Sequence, residues 1–102
     1  MFQELTDANY KDVFAATAAG VCIFYKQLCP HCKNMEKVLE KFSARVENVN
    51  IFKIDSEANP EAMQALQAER APTLVIIKEG AIKLTKAGLM NPKELITLYE
   101  NA

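Results

Sequence analysis

The run Cys29-Pro30-His31-Cys32 carries the most specific chemistry in this chain. It follows a continuous apolar stretch, Val21-Cys22-Ile23-Phe24-Tyr25, and opens a segment with helical periodicity. Two sulfurs at this spacing become neighbours once a helix begins, so a disulfide can close between them without distorting the chain. The unpaired N–H groups and the dipole at a helix N-terminus stabilise negative charge, and the thiolate is the nucleophilic form of cysteine. Cys29 stands before or at the first turn, where its sulfur can be exposed and faces those N–H groups. Cys32 lies one turn further in, on the face shared with Met35 and Leu39, and is expected to be more buried. The spacing therefore predicts Cys29 as the attacking thiolate, which forms a mixed disulfide with a substrate, and Cys32 as the thiol that resolves it.

The residues between the cysteines have their own readings. His31 is the only histidine. Inside this turn its expected role is electrostatic, because an imidazolium or an imidazole N–H near the Cys29 sulfur favours the thiolate. A better-stabilised thiolate favours the reduced form and makes the couple more oxidising. The alternative is a histidine satisfied within the core. Pro30 suits a first helical turn, where it has no N–H to lose. A structural zinc site would need four ligands, and a second Cys-x-x-Cys or a Cys/His pair is missing. Cys22 is the only spare thiol, and in an apolar strand it packs as a small hydrophobe. No metal is expected within a monomer; a cluster bridged between two chains is the remaining metal reading.

Composition narrows the class further. The chain has 102 residues, with 12 basic and 13 acidic side chains and a net charge of -1. That balance, without a basic cluster, argues against nucleic-acid binding. Val13 to Tyr25, the longest uncharged stretch, has 13 residues, short of the ~20 that cross a membrane. The start, Met1-Phe2-Gln3-Glu4, lacks the basic residues of a signal peptide, so a cytoplasmic protein without a membrane partner is expected. Three cysteines are too few for a disulfide-stapled scaffold. Small size and near-neutral charge are compatible with a monomer.

The elements that must position the cysteines follow from periodicity. Phe2 to Leu5 reads as a short strand. Thr6 or Asp7 can cap a helix carrying Tyr10, Val13, Phe14 and Thr17 on one face and closed by Gly20. Val21 to Tyr25 reads as a buried central strand. The helix from Pro30 buries Cys32, Met35, Val38, Leu39 and Phe42, with Lys33, Glu36, Lys37, Glu40 and Lys41 largely elsewhere. Val49 to Ile54 is a third strand, and Asn59-Pro60-Glu61 starts a helix with Met63 and Leu66 on its apolar stripe. Leu74 to Ile77 is a fourth strand, turning at Glu79-Gly80 into a hairpin partner with Ile82, Leu84 and Lys86. Asn91-Pro92 with Glu94 resembles a capping box before a last helix that turns Leu95, Leu98 and Tyr99 inward. The order β-α-β-α-β-α-β-β-α predicts one α/β domain over residues 1–102, with a mostly parallel sheet covered on both faces and an antiparallel hairpin at one side.

A Cys-x-x-Cys after a strand in a βαβ context resembles the thioredoxin family. The likeness runs from about Thr6 through the last helix. It is carried also by Lys53-Ile54-Asp55, Asn59-Pro60, Ala71-Pro72-Thr73, Lys78-Glu79-Gly80 and Gly88. The resemblance implies the thioredoxin fold, a central mixed five-stranded sheet in the order 1-3-2-4-5 flanked by four helices. It implies that Pro72 is cis and packs against the cysteine pair, a geometry that an X-Pro bond adopts at small cost. It further implies a substrate-docking surface formed by Ala71, Pro72, Thr73 and Gly88 with Leu28. Tyr25 falls where the family keeps an aromatic residue against the active site. The simpler reading of Pro72 is a proline that starts a strand.

The departures from the family are as informative. Leu28 stands where a tryptophan is usual, and Pro30-His31 replaces Gly-Pro, as in the strongly oxidising periplasmic branch of the superfamily. The family's buried carboxylate, held to help deprotonate the second cysteine, falls on Ile23, and its partner lysine falls on Ile51. His31, Lys26 or water must then accept the Cys32 proton, or resolution is slow.

The expectation is a thiol–disulfide oxidoreductase whose only cofactor is its own Cys29–Cys32 disulfide. It would reduce protein disulfides with electrons from a thioredoxin-reductase-type flavoenzyme, at a couple more oxidising than an ordinary thioredoxin's. A thiol oxidase or disulfide isomerase acting on folding proteins is the enzymatic alternative, and a redox-sensing interaction module the non-enzymatic one. A glutaredoxin-like reading is weaker, because the glycine pair and basic residues for glutathione capture are not visible after Pro72.

Overall fold

The apolar stretch ahead of the cysteines is the centre of the sheet. In the computed structural model, which describes residues 2–102, it lies in β2 (Ala19–Tyr25), buried from Gly20 to Tyr25. The elements in chain order are β1 (Phe2–Leu5), α1 (Tyr10–Ala15), β2, α2 (Pro30–Arg45), β3 (Asn50–Asp55), α3 (Pro60–Ala65), β4 (Thr73–Lys78), β5 (Ala81–Ala87) and α4 (Pro92–Asn101). The sheet order is β1-β3-β2-β4-β5. β1 and β2 both run parallel to β3, while β4 runs antiparallel to β2 and β5 to β4. This is the mixed five-stranded sheet with four helices that the resemblance implied; the mostly parallel sheet expected from the element order is overturned, because β4 returns antiparallel to β2.

Both faces of the sheet are covered, which is why β2 reads as unbroken rather than alternating. Cys22 and Phe24 pack on one side with Tyr10, Phe14, Phe52 and Ile54. Val21 and Ile23 pack on the other with Met35, Leu39, Phe42 and Leu95. α2 buries Cys32, Met35, Leu39 and Phe42, the expected stripe, with Val38 half-buried at its margin. α2, α3 and α4 each begin on a proline, a residue that leaves no first-turn donor unpaired. The capping box on α4 is present: Asn91 Oδ1 accepts from the Glu94 N–H at 2.8 Å, and the Glu94 carboxylate accepts from the Asn91 N–H.

The start and end of α1 differ from expectation. Its N-cap is Asn9. Thr6 Oγ1 accepts from the Ala8 N–H at 3.2 Å, just outside the helix. Asp7 caps a different helix: its Oδ1 accepts from the Ala62 N–H at 2.7 Å and its Oδ2 from the Glu61 N–H at 3.3 Å, both in the first turn of α3. Asn59 Oδ1 accepts from the Asp7 N–H at 2.8 Å and completes the tie. α1 ends at Ala15, well before Gly20. Gly20 lies inside β2, where a Cβ would come within 2.9 Å of the Phe52 ring and 3.0 Å of the Thr17 methyl. The glycine therefore serves close packing between strand and helix end rather than helix termination.

Candidate active site

β2 delivers the chain to the site and α2 receives it. Between them Leu28 has a φ of 56° and is 93% exposed. A left-handed leucine is an uncommon backbone state, and it turns the chain sharply from the strand into the helix. Cys29 is the N-cap of α2: its Sγ accepts from the Cys32 N–H at 3.2 Å, and its carbonyl accepts from the Lys33 N–H at 3.1 Å. The sulfur thus occupies the place where an N-capping oxygen would satisfy a free helix donor. Both thiols are free in this structure.

The two cysteines stand in different surroundings. Cys29 is half-buried, whereas Cys32 is only 1% exposed. Burial first, and then the hydrogen bond with Cys29, push the Cys32 thiol up to about 11, while the Lys26 N–H acts in the opposite direction. Ile23 and Ile51 are buried and apolar, so no carboxylate stands at either position. Tyr25 ends β2, four residues before Cys29. Its hydroxyl donates to Glu4 on β1, crossing over β3, and Lys53 of β3 places its Nζ 5.1 Å from the ring centroid. Burial and the Glu4 carboxylate together push the Tyr25 hydroxyl well above its ordinary range.

A groove of about 250 Å³ is lined by His31, Arg70, Ala71, Pro72, Gly88 and Leu89. The Ala71–Pro72 peptide is cis, and the Gly88 N–H donates to the Pro72 carbonyl at 2.9 Å. The groove thus gathers His31, Ala71, Pro72 and Gly88 from three separate segments. Thr73 is not among its walls: it is buried, and its Oγ1 donates to the Arg70 carbonyl. Arg70 and Leu89 were not singled out by sequence. Their only signals were position, Arg70 two residues before Pro72 and Leu89 just after Gly88. Leu28 and Leu89, the latter 49% exposed, are two of three large apolar side chains left in solvent among the described residues.

A family model described as Thioredoxin matches residues 1–101. This chain belongs to the thioredoxin family. The thioredoxin of Chlamydia trachomatis serovar D is 29% identical over 100 residues, covering 96% of this chain and 95% of that protein. The thioredoxin of Buchnera aphidicola from Acyrthosiphon pisum is 30% identical over 94 residues, covering 90% and 87%. Among solved structures, reduced desulfothioredoxin from Desulfovibrio vulgaris Hildenborough superposes with a TM-score of 0.88 at 46% identity, over 99% of this chain and 97% of that one. The chain is therefore a thioredoxin-family thiol–disulfide oxidoreductase.

Proposed function

We propose that residues 1–102 act as one thioredoxin-like unit that reduces disulfides in protein substrates, with Cys29 attacking and Cys32 resolving. The Cys29 sulfur bonds to one substrate sulfur and the other leaves as a thiol. Cys32 then attacks Cys29, so the Cys29–Cys32 disulfide forms and the substrate is released reduced. The observation that carries this reading is the Cys29 sulfur at the mouth of α2, accepting from the Cys32 N–H, in a turn whose His31 also lines the Pro72 groove. Ala71, Pro72, Gly88 and the exposed Leu28 are the surface that receives the substrate chain. Thr73 supports it from beneath by holding the Arg70 carbonyl. A thioredoxin-reductase-type flavoenzyme restores the dithiol, and a monomer in the cytoplasm is the setting in which net reduction is favoured.

The Pro30-His31 pair supports a couple more oxidising than that of ordinary thioredoxin, about -270 mV. The test is equilibration with glutathione buffers followed by the fraction of Cys29–Cys32 disulfide, alongside reduction of insulin with NADPH and a thioredoxin reductase. A potential near -270 mV would overturn the oxidising couple, and failure to reduce insulin would overturn the reductase reading.

A second reading is favoured by one observation: Cys32 is buried, the position of the family's carboxylate is held by the buried Ile23, and the Cys32 thiol is raised to about 11. Slow resolution prolongs the mixed disulfide, which gives a substrate's own second cysteine time to attack and reshuffle the bond. That is disulfide isomerisation, and recovery of a scrambled disulfide protein without net reduction would support it.

A further inference from the structure

The Cys32 proton has no acceptor at Ile23, yet it must leave before Cys32 can attack. Burial holds the Cys32 thiol above its ordinary range and so favours its protonated form. The groups around that sulfur are few. On α2 itself stand Cys29 and Glu36, and the end of β2 contributes the Lys26 N–H. Behind them is Tyr25, whose hydroxyl is held by Glu4 of β1 and whose ring lies beneath Lys53 of β3, with Asp55 at the end of β3. Glu4 is thus occupied with Tyr25. Asp55 accepts from the Glu57 N–H at 3.0 Å and the Ala58 N–H at 3.3 Å and is committed to the loop after β3.

Glu36 is different. It follows Cys32 by one helical turn in α2, a spacing that brings the two Cβ atoms to about 5–6 Å. Side chains in a helix lean toward its N-terminus, so a glutamate at this position leans toward Cys32. Glu36 is half-buried, unlike its exposed neighbours Lys33, Lys37 and Glu40 on the same helix. Its charge acts on both the Cys32 thiol and the Tyr25 hydroxyl, raising each slightly.

We propose that Glu36 accepts the proton of the Cys32 thiol during resolution, in place of a carboxylate at Ile23. This rests on the reading of Cys29 as attacker and Cys32 as resolver. In the step, the Cys32 proton passes to the Glu36 carboxylate, directly or through one water. The Cys32 sulfur bonds to Cys29 Sγ while the bond between Cys29 Sγ and the substrate sulfur breaks. The substrate sulfur leaves with the electron pair and is protonated from solvent, and Glu36 returns its proton to solvent.

A carboxylate beside a thiol can act in two opposed ways, and this makes the test decisive. As a mere negative charge it disfavours the thiolate, so its removal would speed resolution. As a proton acceptor it promotes the step, so its removal slows it. The reduced full-length protein is mixed with glutathione disulfide, and release of the first and second glutathione is followed by rapid quenching and mass spectrometry. Glu36→Gln is expected to slow the second release by about tenfold or more at pH 7. The native second release is expected to stay level between about pH 6 and 8, whereas the variant's rises by about tenfold per pH unit. Glu40→Gln, one turn further and exposed, should match the native protein, and melting curves confirm that both variants fold. A second release that is unchanged or faster in Glu36→Gln overturns the proposal. If the first release does not occur, the role of Cys29 fails and this inference fails with it. If it occurs and the second is indifferent to Glu36, this inference alone fails.

Discussion

The Cys32 N–H donates to the Cys29 sulfur at 3.2 Å, while the Cys32 sulfur is turned into the protein, where only 1% of the residue meets solvent. One residue thus supplies the donor that supports its neighbour's sulfur while its own is kept protonated by burial. The division of labour between two chemically identical side chains follows from one turn of helix: the first sulfur caps it and the second is inside it.

Replacing Cys32 by Ser leaves Cys29 as the helix cap and removes the resolving thiol. Substrate proteins are then expected to accumulate as mixed disulfides at Cys29, visible as reductant-sensitive adducts on non-reducing gels. Cys29→Ser should give none, since its partner thiol is buried. Adducts on Cys32 in the Cys29→Ser variant would reverse the assignment.

Leu28 holds a left-handed backbone with its side chain in solvent, and the proposed docking surface uses it as an anchor for an incoming apolar chain. Asn tolerates that backbone, so Leu28→Asn keeps the turn and removes the anchor. Burying a leucine contributes about 1.5–3 kcal/mol when complete. Partial burial therefore predicts a loss of about threefold to tenfold in kcat/KM toward a protein disulfide such as insulin. The rate with glutathione disulfide, too small to cover Leu28, should change little. An equal loss with both substrates would show that Leu28 shapes the site rather than the docking.

Alkaline pH should destabilise the reduced protein. Burial raises Cys22 and Cys32 above their ordinary value of 9.0 and Tyr25 above 10.0. The folded chain then holds protons that the unfolded chain releases, so this stability is complete below about pH 9 and is lost as pH rises beyond it. Cys22, fully buried in β2, contributes about 1.4 kcal/mol per pH unit above that point. Urea midpoints measured under reductant at pH 8, 9 and 10 should fall in that order, and Cys22→Ala should fall less steeply. A Cys22→Ala profile parallel to the native one would contradict the assignment.

Asp7→Ala should loosen α3 without touching the cysteines. It removes the acceptors for the Ala62 and Glu61 N–H groups, and losses of this kind cost about 1–2 kcal/mol. Urea unfolding reads the cost, and the equilibrium of the Cys29–Cys32 couple with glutathione should stay where it is. A shift in that equilibrium would mean that α3 influences the site.

Periodicity and residue type were enough to read the elements, the helix-mouth cysteines, the greater burial of Cys32 and the Asn91–Glu94 cap. Each depends on groups within a few residues of one another or on which face of a single element is apolar. The resemblance carried the sheet order and the cis Pro72, which no local pattern contains. Tertiary structure alone decided the rest. Asp7 caps α3 rather than α1 because the sheet brings the end of β1 beside the start of that helix. Gly20 belongs to a strand because Phe52 and Thr17 leave no room for a side chain. Tyr25 reaches Glu4 over β3, and Arg70 and Leu89 meet His31 across the groove, because segments far apart in sequence are set side by side by strand order. The Cys29-Pro30-His31-Cys32 run at a helix mouth, taken with Ala71-Pro72-Thr73 and the other matching segments, was enough to expect disulfide exchange. Which surface frames Cys29 is a property of the packed sheet, since it depends on neighbours that only folding supplies.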